Sequence, residues 1–116
     1  MARLRLYHNP GCSKSRGALD ILRERGADFD VVEYLKEPLD AETLTRIAEL
    51  LPDPPEELIR KDRNFERLDL DPNRYKTIEA VIELLLEHPE LMQRPVVVAG
   101  DRARICRPPE KVLELL

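Results

Sequence analysis

Residues 4–35 constrain the fold more than any other stretch of the chain. Leu4 to Tyr7 alternates Leu-Arg-Leu-Tyr and reads as a short strand, and His8-Asn9-Pro10-Gly11 reads as a turn. From Ser13 the sequence turns helical, with Ala18, Leu19, Ile21 and Leu22 as its apolar stripe. Gly26 stands where a helix is expected to end, and Phe29 to Leu35 reads as a second strand built around Val31 and Val32. A crossover this short favours parallel strands joined by a right-handed connection.

The middle of the chain is helical. Asp40 is the expected N-cap of a helix that buries Leu44, Ile47, Ala48 and Leu51, until Pro52, Pro54 and Pro55 break it. Pro55 to Leu58 looks like the first turn of a short helix, and residues 62–76 read as short turns joined by loops. Thr77 caps a helix through Glu87 with Ile78, Val81, Ile82 and Leu85 inward, and His88-Pro89 stops it. Val96 to Ala99 is a buried strand, Gly100-Asp101 a tight turn, and Ala103 to Cys106 the returning strand of a hairpin. Pro108-Pro109 opens a closing helix with Val112, Leu113 and Leu116 apolar. The order β-α-β, helices, β-β-α predicts an α/β, thioredoxin-like fold: a small mixed sheet flanked by helices, with a helical insertion over residues 40–90 of a single domain, 1–116.

Composition limits the function. The chain has 116 residues, 42% hydrophobic and 36% charged, with a net charge of −4. That balance suits one globular domain and argues against a whole-domain grip on nucleic acid or an anionic membrane. No apolar run approaches the roughly 20 residues that span a bilayer. Arg3 and Arg5 interrupt the start and no apolar run follows them, so no signal peptide is expected and the cytoplasm is the expected compartment. Two cysteines and two histidines are too few for a disulfide scaffold or a structural zinc site, and no metal is expected. The question becomes whether Cys12 or Cys106 does chemistry.

Cys12 follows a strand and a turn, at the start of a helix. Unpaired backbone N–H groups and the helix dipole stabilise an anion there, which lowers a thiol pKa. Lys14, Arg16 and His8 add nearby positive charge. The competing reading is a buried structural cysteine, but Pro10-Gly11 before it and Ser13-Lys14-Ser15 after it are not core neighbours. Ser15 replaces the second cysteine of a redox CxxC, so no local dithiol forms. Cys106, beside Ile105 in a strand, reads as a small packing residue. Of the 14 arginines, most belong to solvated helix faces. Arg60, Arg94 and Arg107 stand elsewhere. In a thioredoxin-like fold Pro95 is the expected cis-proline, on a loop that faces the active thiol. Arg94 would then lie beside Cys12, and planar guanidinium groups suit tetrahedral oxyanions.

The segments Tyr7-His8-Asn9-Pro10-Gly11-Cys12-Ser13-Lys14-Ser15-Arg16, Leu58-Ile59-Arg60-Lys61, His88-Pro89, Arg94-Pro95-Val96-Val97-Val98 and Arg107-Pro108-Pro109-Glu110 together resemble the glutaredoxin-coupled arsenate reductase family, the ArsC type, in order along the whole chain. The resemblance implies Cys12 as nucleophile and Arg60, Arg94 and Arg107 as an oxyanion-binding triad. His8 and Ser15 match positions that tune the thiolate. It further implies arsenate as substrate, glutathione as co-substrate, glutaredoxin as partner and no bound cofactor. Two alternatives use the same scaffold: a thiol oxidoreductase acting on another substrate, such as a glutathione mixed disulfide, and a non-catalytic module like the Spx regulators that bind RNA polymerase. The latter typically carry the CxxC switch that Ser15 removes.

Overall fold

The computed structural model describes residues 3–116. They fall into two compact units, one formed by the chain up to Glu37 together with Arg94–Leu116, the other by Pro38–Gln93. The expected insertion over residues 40–90 lies inside the second.

In the first unit, strands β1 (Leu4–His8), β2 (Phe29–Glu33), β3 (Val96–Ala99) and β4 (Arg102–Ile105) form one mixed sheet in the order β2-β1-β3-β4. β1 runs parallel to β2, with Leu6 opposite Val31. β3 is antiparallel to both β1 and β4. This is the thioredoxin-like arrangement expected from the element order. Period-two alternation sends Leu4 and Leu6 to one face, where they join Ala18 and Leu22 of helix α1 (Ser13–Glu24), Val97, Cys106, Val112 and Leu115 in a single core. β2 lies at the sheet edge, so Val31 is largely exposed. The strand also ends at Glu33, short of Leu35, because the Lys36 and Glu37 N–H groups turn back to the Glu33 carbonyl.

Helix α1 ends as its sequence predicts. Gly26 takes φ +63°, its N–H donates to the Arg23 carbonyl, and the Ala27 N–H donates to the Leu22 carbonyl. These are the paired bonds of a Schellman cap, and they need a residue tolerant of the left-handed region.

The closing segment departs from expectation. Pro109–Leu115 is a 3-10 helix, with three residues per turn. That period stacks Pro109, Val112 and Leu115 on one buried row and turns Leu113 and Leu116 outward, so the last two are exposed. Of the three apolar residues read from the sequence, only Val112 therefore faces the core. The Pro109 ring of this segment lies against α1 at Gly17, where an added Cβ would fall 2.9 Å from Pro109 Cγ.

The second unit is built on helices α2 (Ala41–Leu50) and α4 (Ile78–Glu87), which pack together through Leu44, Ile47 and Ala48 on one and Val81, Ile82, Leu84 and Leu85 on the other. Both N-caps are the expected ones: Asp40 accepts from the Thr43 N–H at 2.8 Å, and Thr77 from the Ala80 N–H at 3.2 Å. Between them lie a 3-10 turn at Pro55–Leu58, the short helix α3 (Arg63–Arg67) and a 3-10 turn at Pro72–Arg74. Phe65 and Tyr75 meet edge to face. Beyond α4, a bridge between Ile59 and Met92 and the bond from the Gln93 N–H to the Leu58 carbonyl tie the last residues of this unit to the segment after its first 3-10 turn.

Candidate active site

Cys12 is the N-cap of α1, with extended backbone angles (φ −103°, ψ 124°). The loop before it is rigidly bonded. The Cys12 N–H donates to the Asn9 carbonyl at 3.0 Å, the Gly11 N–H to Asn9 Oδ1 at 2.9 Å, and Arg16 Nη1 to the Pro10 carbonyl at 2.8 Å. The side chain is half-buried. Burial pushes its pKa up, but the backbone N–H groups of Ser15 and Lys14 and then the side chains of Arg94 and Arg107 outweigh it. The result is a thiol lowered from 9.0 to about 7.

The two arginines arrive together because of strand register. The β3–β4 hairpin pairs Val96 with Ile105 and Val97 with Arg104. Continuing that pairing outward sets Pro95 opposite Cys106 and Arg94 opposite Arg107. Two bonds fix this extension: the Cys106 N–H to the Pro95 carbonyl at 2.9 Å, and Arg107 Nη1 to the Arg94 carbonyl at 2.9 Å. The same Nη1 lies 3.8 Å from Cys12 Sγ. The Arg94–Pro95 peptide is cis, and so is Arg107–Pro108.

His8 and Ser15 are both buried and bonded to each other, with His8 Nδ1 2.6 Å from Ser15 Oγ. That oxygen also accepts from the Asn9 N–H at 3.0 Å. Which of the pair donates is set by the His8 tautomer, and either way the hydroxyl is engaged by the ring and the loop. Burial pushes the His8 pKa down; Glu33 opposes this, and Arg16 and Arg23 add to it. Ser15 thus contributes its backbone N–H to the thiol and its hydroxyl to the loop behind it. The choice between those two groups was not readable from residue type.

Arg60 belongs to the second unit. Its N–H donates to the Leu91 carbonyl at 2.6 Å, and its Nε pairs with Asp62 Oδ2 at 3.1 Å. Sequence reasoning passed over Asp62, although an Asp two residues before Asn64 carries an N-cap signal. Cys106 is fully buried; burial, with a smaller push from Glu114, raises its thiol to about 12. His88 stays local, its N–H bonded to the Leu84 carbonyl and its ring near Glu87 and Glu90. Among the described residues no group of three or more His, Cys, Asp or Glu side chains is placed to hold a metal.

A lowered thiol at a helix N-terminus between two guanidinium groups can attack an electrophilic centre that carries negative oxygens. Comparison with known sequences names the lineage, because the sequence model of the ArsC family matches residues 7–115. The chain belongs to the ArsC family. One relative, the uncharacterised protein YfgD of Escherichia coli K12, is 44% identical over 97% of this chain and 96% of its own length. An arsenate reductase of the same strain is 34% identical, over 100% of this chain and 82% of its own. The solved arsenate reductase of Vibrio cholerae is similar in structure with a TM-score of 0.88 at 35% identity, covering 99% of this chain and 98% of that one.

Proposed function

We propose that this ArsC-family protein is an oxidoreductase that reduces arsenate to arsenite, with Cys12 as nucleophile and with glutathione and glutaredoxin supplying the electrons. The observation that carries this reading is the Cys12 sulfur, lowered to about 7 between two helix N–H groups and the side chains of Arg94 and Arg107. Names of relatives support the substrate: arsenate reductases align with the chain end to end.

The thiolate attacks arsenic, forming an S–As bond while one arsenate oxygen leaves as water after taking up protons. Arg60, Arg94 and Arg107 hold the remaining oxygens and neutralise their charge. A glutathione thiol then replaces a second arsenic oxygen, which takes the thiol proton and leaves as water. The glutaredoxin thiol takes the glutathione sulfur, and the electron pair released as the S–S bond forms reduces As(V) to As(III). Water then adds to As(III) and displaces Cys12, so that arsenite leaves and the thiolate is restored. One enzyme thiol suffices, in keeping with Ser15 in place of a second cysteine and with Cys106 in the core. This supply of thiols belongs to a reducing compartment, and we assign the protein to the cytoplasm. No described helix is long and apolar enough to cross a membrane.

The test is NADPH oxidation coupled through glutathione reductase, with glutathione, glutaredoxin and arsenate present. Wild type should turn over and Cys12→Ser should not; equal rates would overturn the mechanism. Turnover of a glutathione mixed disulfide without any response to arsenate would reassign the substrate while keeping the nucleophile.

A further inference from the structure

Arg60 is restrained twice within its own unit. Its backbone N–H is tied to the Leu91 carbonyl, next to the bridge between Ile59 and Met92. Its guanidinium is held through Nε by Asp62 Oδ2 at 3.1 Å. The carboxylate is itself anchored, because Oδ1 accepts the Asn64 N–H at 3.0 Å and the Phe65 N–H at 3.3 Å at the start of α3. The two side chains are only 29% and 24% exposed, so this is no loosely solvated surface pair. Burial pushes the Asp62 carboxyl up, but the Phe65 N–H and Arg60 hold it below the usual carboxylate range, so it is charged at neutral pH.

A guanidinium offers two edges for bidentate binding, one formed by Nε with a terminal nitrogen and one by the two terminal nitrogens. Asp62 takes Nε. We propose that Asp62 is the positioning residue for Arg60, ordering its side chain beforehand so that the terminal edge is the one that takes the oxyanion. The inference rests on the reading above that Arg60 is an arsenate ligand. An arginine already immobilised loses less rotamer freedom when substrate binds, which appears as a lower KM. The opposing electrostatic effect has the other sign: a carboxylate beside the site repels an anion, so removing it by charge alone would lower KM.

The experiment is a double-mutant cycle on the full chain, measuring KM and kcat for arsenate in the coupled assay. Protection of Cys12 from alkylation by arsenate serves as a binding readout that needs no turnover. Asp62→Asn keeps a good N-cap while removing the charge. It should raise KM about fivefold, a coupling typical of neighbouring groups, with kcat changed less than about twofold. Asp62→Glu, which restores the carboxylate, should recover part of the loss. In an Arg60→Ala background Asp62→Asn should change KM no further. An equal rise in both backgrounds would mean that Asp62 only caps α3, and the proposal would fall. It would also fall if Asp62→Asn left KM unchanged or lowered it while Arg60→Ala raised it. If Arg60→Ala itself left both KM and protection unchanged, the assignment of Arg60 as an oxyanion ligand would fail and take this inference with it.

Discussion

At Cys12 opposing influences act on one sulfur, and their balance sets the working pH. Burial favours the neutral thiol, while two backbone N–H groups and two arginines favour the thiolate. Alkylation of Cys12 should therefore reach half its maximal rate near pH 7, and a midpoint near the thiol's ordinary 9.0 would contradict the arrangement. Arg107→Ala removes a donor 3.8 Å from the sulfur, so its alkylation midpoint should move to higher pH. Stability follows the same sign. A folded-state pKa below the unfolded one makes the thiolate a stabilising group above pH 9, and that contribution is lost as pH falls through about 7. The stability gap between wild type and Cys12→Ser should thus widen in favour of wild type between those values, as denaturant titrations at several pH values would show. Ser15 carries a separate burden. Ser15→Ala leaves His8 Nδ1 and the Asn9 N–H without the oxygen they share, at a cost of about 2 kcal/mol. An unfolding free energy within about 0.5 kcal/mol of wild type would argue that water replaces the hydroxyl.

Among the elements, α1 and the C-terminal 3-10 helix approach each other closely at Gly17. Gly17→Ala would normally strengthen a helix by up to about 1 kcal/mol. Here the new methyl would sit 2.9 Å from a proline ring carbon that has no flexible end to move. Overpacking of this kind costs about 1–3 kcal/mol, so the variant should be less stable than wild type, and a raised Tm would refute the close approach. The phase of the 3-10 helix gives a companion test. Val112→Ala should cost about 2 kcal/mol, whereas Leu113→Lys, on the exposed row, should be nearly neutral in the same thermal melts. In this segment the sequence showed a helix but not its period. Val112, Leu113, Leu115 and Leu116 fit more than one helical period, and only the packing of Pro109 and Val112 against the sheet and α1 selects three residues per turn. The strands and capped helices were legible because alternation, Asp40, Thr77 and Gly26 each carry a local physical signal. The edge position of β2 was not, since the pattern of a strand does not record its neighbours.

Over the whole molecule the charge is −4, yet two arginines converge on one half-buried thiol. Local and global electrostatics therefore oppose each other, and added salt acts on the local term at short range. KM for arsenate should rise as sodium chloride is raised, and a KM that falls would assign the larger role to the acidic surface. How legible this site was depended on distance along the chain. Cys12 and its helix start are contiguous, so the sequence showed them directly. The approach of Arg94 to Arg107 needed only the hairpin, whereas the bond from Asp62 to Arg60 needed side-chain rotamers that no pattern records. The hairpin carries a last consequence. Its turn, with Gly100 at φ +63°, lies five residues beyond Pro95 yet meters the spacing of both arginines, as a hinge pin sets where two blades meet. A residue inserted there that slipped β4 by one position would send Arg107 to the opposite face of the sheet. The thiol would keep its helix N–H donors and lose a cation, so length variation in a loop remote from Cys12 is a route by which relatives could retune the nucleophile without altering any residue that touches it.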